Sequence, residues 1–237
     1  MAYQEKMGDG IVLLSDSRVA TIPASDIGER LVDVRRAGLF ISSRQADDTG
    51  AFAHVREGVV DRLMAAEKAL PQGFHLMFIE GYRPPVLQQR YFDDYRDMLR
   101  GLLAGSDDKT LYQLASRYVS PLDVAPHSAG AAVDITLCTE DGTELDCGTP
   151  VNATPEESAG ACYTAHPSLG TAARDNRAIL GTALGAAGFV NYPTEWWHWS
   201  FGDRYWAMMT EAPTAIYGPA MMPGSPNPGE PLTGLSA

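Results

Sequence analysis

The sequence predicts a mixed α+β fold, with helices and strands packed in one domain. Three observations carry this. At 237 residues with 45% apolar content, the chain is long enough for one sizeable core. Segments of helical spacing occur in the same chain as segments with the period-two alternation of strands. No internal repeat divides it. The expected organisation is a single domain over residues 1–216, followed by a Pro/Gly-rich C-terminal tail over residues 217–237.

Residues 59–70 have apolar positions at helical spacing, and Pro71-Gln72-Gly73 stops them. A strand follows from His75 to Ile79 and runs into Glu80-Gly81-Tyr82-Arg83-Pro84-Pro85. The doubled proline forces the chain out of the strand, so Arg83 is expected at a strand-to-helix turn, with an amphipathic helix over residues 86–104. A short helix over residues 109–119 and a loop over residues 120–126 come next. Val133, Ile135 and Leu137 alternate with Asp134 and Thr136, the pattern of a half-buried strand with Asp134 on its other face. Residues 139–168, rich in Gly, Thr, Pro and acidic side chains, read as a long irregular excursion that could wall a pocket. Residues 172–187 are helical again, with Gly188 as a C-terminal cap. An aromatic strand is expected over residues 196–201. Beyond Ile216, the run of Pro, Gly, Ser and Asn sustains neither helix nor interior strand.

The balance of 18 basic against 30 acidic residues gives a formal charge of −12, which argues against a nucleic-acid or anionic-membrane partner and favours a small polar ligand. The N-terminus lacks the apolar run of a secretory signal, and no stretch is long enough to cross a bilayer. Three cysteines without metal-type spacing do not form a disulfide framework. The expectation is a cytoplasmic protein.

The chemistry concentrates in two short runs, His127-Ser-Ala-Gly-Ala-Ala-Val-Asp134 and Glu195-Trp-Trp-His198. Each has a plain reading by itself. The first could be a small-residue loop before a buried aspartate, and the second an aromatic core strand with a hydrogen-bonded histidine. Together they hold two imidazoles, one carboxylate suited to a metal and one spare carboxylate. That is the composition of a catalytic zinc site, in which three protein ligands leave a position open and a nearby glutamate moves the proton. The indoles beside Glu195 would lower the local dielectric and raise its pKa. Arg83 reads either as a salt-bridged arginine or as a fixed charge beside a developing oxyanion.

With these elements in this order, joined by Leu31-Val-Asp-Val-Arg35, Asn176-Arg177 and Gly188-Phe189, the chain resembles the zinc D-alanyl-D-alanine dipeptidases of the vancomycin-resistance type. The likeness spans roughly residues 30–205. It implies an α+β domain of the kind shared with D,D-carboxypeptidases and the Hedgehog signalling domain, with a central antiparallel sheet flanked by helices. It also implies one zinc ion per chain, held by His127, Asp134 and His198. Glu195 would be the general base and acid, Arg83 would stabilise the tetrahedral intermediate, and the substrate would be a small peptide or amide.

The substrate side departs from that pattern. Asn152 stands where the family usually has an aspartate for the free amino group, Ala125 replaces a serine, and Arg36 follows Arg35 where tyrosine is common. These three, with Trp196, are the candidate substrate-contacting residues. Loss of a carboxylate opposite an ammonium removes an interaction worth about 1.5–3 kcal/mol. Two further readings therefore accompany the dipeptidase: an amidohydrolase of secondary metabolism with an altered substrate, and a non-catalytic zinc-containing module that binds peptide or cell-wall fragments.

Overall fold

A computed structural model describes residues 10–222. The N-terminal stretch read for a secretory signal, and residues 223–237 of the expected tail, lie outside the described residues. Tyr217 and Ala220 are buried, and the Tyr82 hydroxyl donates to the Ala220 carbonyl at 2.9 Å. Packed chain thus continues a few residues past 216.

Seven strands and six α-helices make up the described part. In chain order they are α1 (Ser17–Thr21), β1 (Leu31–Asp33), β2 (Phe40–Ile41), β3 (His54–Arg56), α2 (Glu57–Ala69), β4 (His75–Glu80), α3 (Pro85–Leu102), α4 (Asp108–Ala115), β5 (Ala132–Cys138), α5 (Thr171–Ala186), β6 (Val190–Asn191), β7 (His198–Ser200) and α6 (Arg204–Met209). The main sheet has the order β2-β4-β5-β7-β6, and β1 pairs with β3 in a separate two-stranded ribbon. The expected α+β architecture is present. Within the main sheet β4, β5, β7 and β6 are antiparallel as expected, whereas the short edge strand β2 runs parallel to β4.

The helices follow from their apolar spacing. In α2, Val59, Leu63 and Ala66 are buried on one face, with Glu57 in the first turn and Lys68 in the last, as the helix dipole favours. Pro85 starts α3, where a missing N–H costs nothing, and Gln88, Phe92, Tyr95 and Leu99 form its buried stripe. Asp107 caps α4 by accepting from the Thr110 N–H, and Leu111 and Leu114 pack against Phe92 and Leu99 in a small core of their own.

The main core lies around β5, where Val133, Ile135 and Leu137 pack with Phe78, Leu180 and Trp199. β5 was expected to be half-buried, yet all seven of its residues are buried. The alternation correctly separates two faces; the polar face is covered by the functional site and the excursion rather than by water. The aromatic strand is shorter than expected, because residues 195–197 turn before β7 begins at His198.

Register is what builds the site. β4 carries an extra residue between Phe78 and Glu80, so Phe78 pairs with Ile135 while Glu80 pairs with Asp134. On the other side of β5, Asp134 pairs with His198. Glu80, Asp134 and His198 therefore form one row across three adjacent strands.

Candidate active site

His127 is delivered to the end of this row by a short 3-10 turn, His127–Ala129, which closes on Gly130 in the left-handed region at φ 65°. The turn is stapled to the segment after β4. The His127 Nδ1 donates to the Gly81 carbonyl at 2.6 Å, the Arg83 N–H to the His127 carbonyl at 3.3 Å, and the Ser128 hydroxyl to the Arg83 carbonyl at 2.9 Å. Gly81 has to be glycine, since a Cβ there would stand 2.5 Å from the His54 carbonyl and from Val55.

A carbonyl can only accept, so His127 carries its proton on Nδ1 and offers a lone pair at Nε2. That Nε2 is 3.1 Å from His198 Nδ1 and 3.3 Å from Asp134 Oδ1, and His198 Nδ1 is 3.2 Å from the same Oδ1. All three residues are buried, at 3%, 2% and 5% exposure for His127, Asp134 and His198. With His198 protonated on Nε2, its Nδ1 joins the other two as a third electron-pair donor, and a cation among them would offset their mutual repulsion. An ion about 2.0–2.1 Å from tetrahedral donors would separate those donors by about 3.3–3.4 Å, so the residues present fit a zinc-sized cation. Their chemistry fits too. The two imidazoles hold Asp134 well below the usual carboxylate range against the effect of its burial, and burial pushes His198 down toward the neutral form a metal requires.

Glu195 sits in the turn before β7, where its N–H donates to the Tyr192 carbonyl. Its Oε2 is 3.8 Å from His198 Nδ1. Burial, and then the Asp134 charge, push its pKa well above the ordinary value. The expected shift is present, with its cause in burial and a like charge. Arg83 is gripped by Glu80, with Nε to Oε1 at 2.7 Å and Nη2 to Oε2 at 2.6 Å, while its Nη1 donates to Gln88 at 3.0 Å. The salt-bridged reading of Arg83 is present, and the residue also lines the same cavity as the donor trio. Glu80 and Gln88 were not singled out by sequence reasoning, although the carboxylate three residues before Arg83 was a usable signal.

These groups form the inner end of a cavity of about 370 Å³. One wall is a stripe of α3, Tyr91, Asp94, Tyr95 and Met98, spaced as one helix face. Tyr118, Tyr192 and Asn152 close the other sides. The tyrosines carried no signal in the sequence, because helical spacing does not reveal which face meets a cavity.

Of the candidate substrate contacts, Asn152 lines this cavity and the other three do not. Ala125 ends the 3-10 turn Leu122–Val124 and lines a separate cavity of about 270 Å³. Arg36 lies exposed at the end of a 3-10 turn, Val34–Arg36. Trp196 is 1% exposed, with its indole N–H donating to Thr149 at 2.9 Å and its ring beneath the Arg177 guanidinium. Its position next to Glu195 in the chain does not bring it to the cavity, because the turn aims the two side chains apart.

Comparison with known proteins shows the family. A family model described as D-Ala-D-Ala dipeptidase matches residues 41–213. A D-alanyl-D-alanine dipeptidase from Synechocystis sp. is 31% identical over 215 residues, which cover 78% of this chain and 87% of that protein. Another from Escherichia coli is 40% identical over 127 residues, or 53% of this chain and 54% of its own length. Among solved structures, the LD-carboxypeptidase LdcB superposes with a TM-score of 0.45 at 18% identity, over 83% of this chain and 78% of that one. No helix of the described residues is long and apolar enough to cross a membrane.

Proposed function

The chain belongs to the D-Ala-D-Ala dipeptidase family of peptidases, and from that premise we propose that it hydrolyses D-alanyl-D-alanine or a closely related small peptide with one zinc ion held by His127, Asp134 and His198. The observation that carries this reading is the buried trio of donors 3.1–3.3 Å apart with the Glu195 carboxylate 3.8 Å from one of them. When bound, zinc supplies Lewis acidity that acidifies water and polarises a carbonyl.

The remaining work falls to side chains. Glu195 accepts the proton of the attacking water and returns it to the departing amine, a role suited to a buried carboxyl whose pKa is raised by its burial. Arg83 offers its free N–H bonds to the oxygen that gains charge, and Glu80 and Gln88 hold it so that no reorganisation is needed. The buried surroundings keep bulk water away from these charges, which strengthens each interaction.

A second reading concerns the substrate. Asn152 lines the cavity and carries a neutral amide, which suits an amide group as well as a free ammonium. Zinc-loaded protein should therefore be offered D-Ala-D-Ala, L,L- and L,D-dipeptides and N-acetylated versions of each, with products followed by mass spectrometry. Cleavage of D-Ala-D-Ala supports the dipeptidase. Cleavage confined to blocked peptides supports the redirected substrate, and no cleavage of any member refutes both.

A further inference from the structure

The cavity is walled on one side by a segment with little regular structure of its own. Residues 139–170 contain no helix or strand, apart from an isolated bridge between Cys138 and Glu144, yet Asn152 is delivered from within it to the cavity. Asn152 adopts the left-handed conformation at φ 65°, a local geometry that asparagine tolerates but that does not anchor a loop. Something else must hold the wall.

Two cavity tyrosines face this segment. Their rings lie 4.8 Å apart, and both hydroxyls are spent on it: Tyr118 donates to the Asn152 carbonyl at 2.8 Å, and Tyr95 donates to the Glu156 carboxylate. Arg117, 3% exposed after the end of α4, donates from Nη2 to the other oxygen of Glu156 at 2.7 Å and from Nε to the Leu114 carbonyl at 3.0 Å. Glu156 thus bridges α3, through Tyr95, and the end of α4, through Arg117. It is four residues from Asn152 in the chain.

We propose that Glu156 is a positioning residue: with Arg117 and Tyr95 it clasps the excursion to the α3–α4 pair and so sets where Asn152 meets the substrate. This rests on the proposed peptidase reading, since it assigns that reaction's substrate wall. Loosening the clasp should weaken substrate binding and leave the reacting groups in place.

Removing Glu156 alone leaves a buried arginine without its carboxylate, which can unfold the chain. Two variants avoid this. Glu156→Gln keeps the shape and one acceptor, and the double variant Glu156→Leu/Arg117→Met removes both charges together. KM and kcat would be measured on whichever panel peptide the wild type cleaves, with zinc content and amide hydrogen exchange over residues 150–160. In the double variant KM should rise about tenfold with kcat within about twofold, a loss of binding shared by ground and transition states. Glu156→Gln should fall between it and the wild type. Zinc content should be unchanged, and exchange should quicken in the excursion but not in β5. An unchanged KM would overturn the proposal, as would a fall in kcat at constant KM. A wild type that cleaves nothing would count against the reaction, and the exchange result alone would then decide the clasp.

Discussion

Replacing Glu195 by Gln should remove turnover while leaving the metal in place. The variant keeps the volume of a side chain that is 6% exposed and loses the ability to hold and release a proton. General acid–base catalysis contributes about 10²–10⁴ in rate, or about 3–5 kcal/mol of barrier. The structure places this case toward the upper end, because the titratable groups beside the donor trio are already engaged. Glu80 is engaged on both oxygens by Arg83, Asp134 lies within the donor trio, and the Tyr118 hydroxyl is committed to Asn152. Initial rates on the preferred peptide, measured at matched zinc occupancy by elemental analysis, would supply the comparison. A variant that keeps activity within about tenfold of wild type would refute the proton-transfer role. Loss of zinc from the variant would instead mean that Glu195 belongs to the ligand set.

Chelation should lower the melting temperature. At a thousandfold excess over its Kd, a ligand adds about 4 kcal/mol, which for a chain of this size is about 8–16 °C. Asp134→Asn should shrink that shift, and equal melting with and without zinc would contradict the ligand assignment. Arg83→Lys retains the charge but loses the fork that Glu80 and Gln88 hold, so kcat should fall about ten- to a hundredfold with little change in KM, as steady-state kinetics would reveal. Asp203→Asn should preserve the cap on the Tyr205 and Trp206 N–H groups while removing a fully buried carboxylate. Burial raises the Asp203 pKa in the folded state, so below its unfolded value the charge costs nothing, and as pH rises the unfolded chain ionises first and the wild type loses stability. The variant should therefore gain on the wild type as pH rises above about 4 in urea titrations, and a constant difference as pH rises would exclude the mechanism.

The sequence by itself determined the parts and their local settings. His127, Asp134, Glu195 and His198 were legible because metal and proton chemistry need particular residue types, and because period-two alternation already set Asp134 opposite Val133 and Ile135. Arg83 was placed at the mouth of a helix by the prolines that follow it. Tertiary structure decided everything that depends on which strand lies beside which. Alternation assigns a face but not a register, so the row of Glu80, Asp134 and His198 exists only because β5 pairs with β4 on one side and β7 on the other, with one extra residue in β4. The same limit explains Ala125 and Trp196, which are near the site in the chain and turned away from it in space. It also explains Tyr95, Tyr118 and Glu156: their meeting joins segments up to 61 residues apart, and nothing local to any of them records the contact.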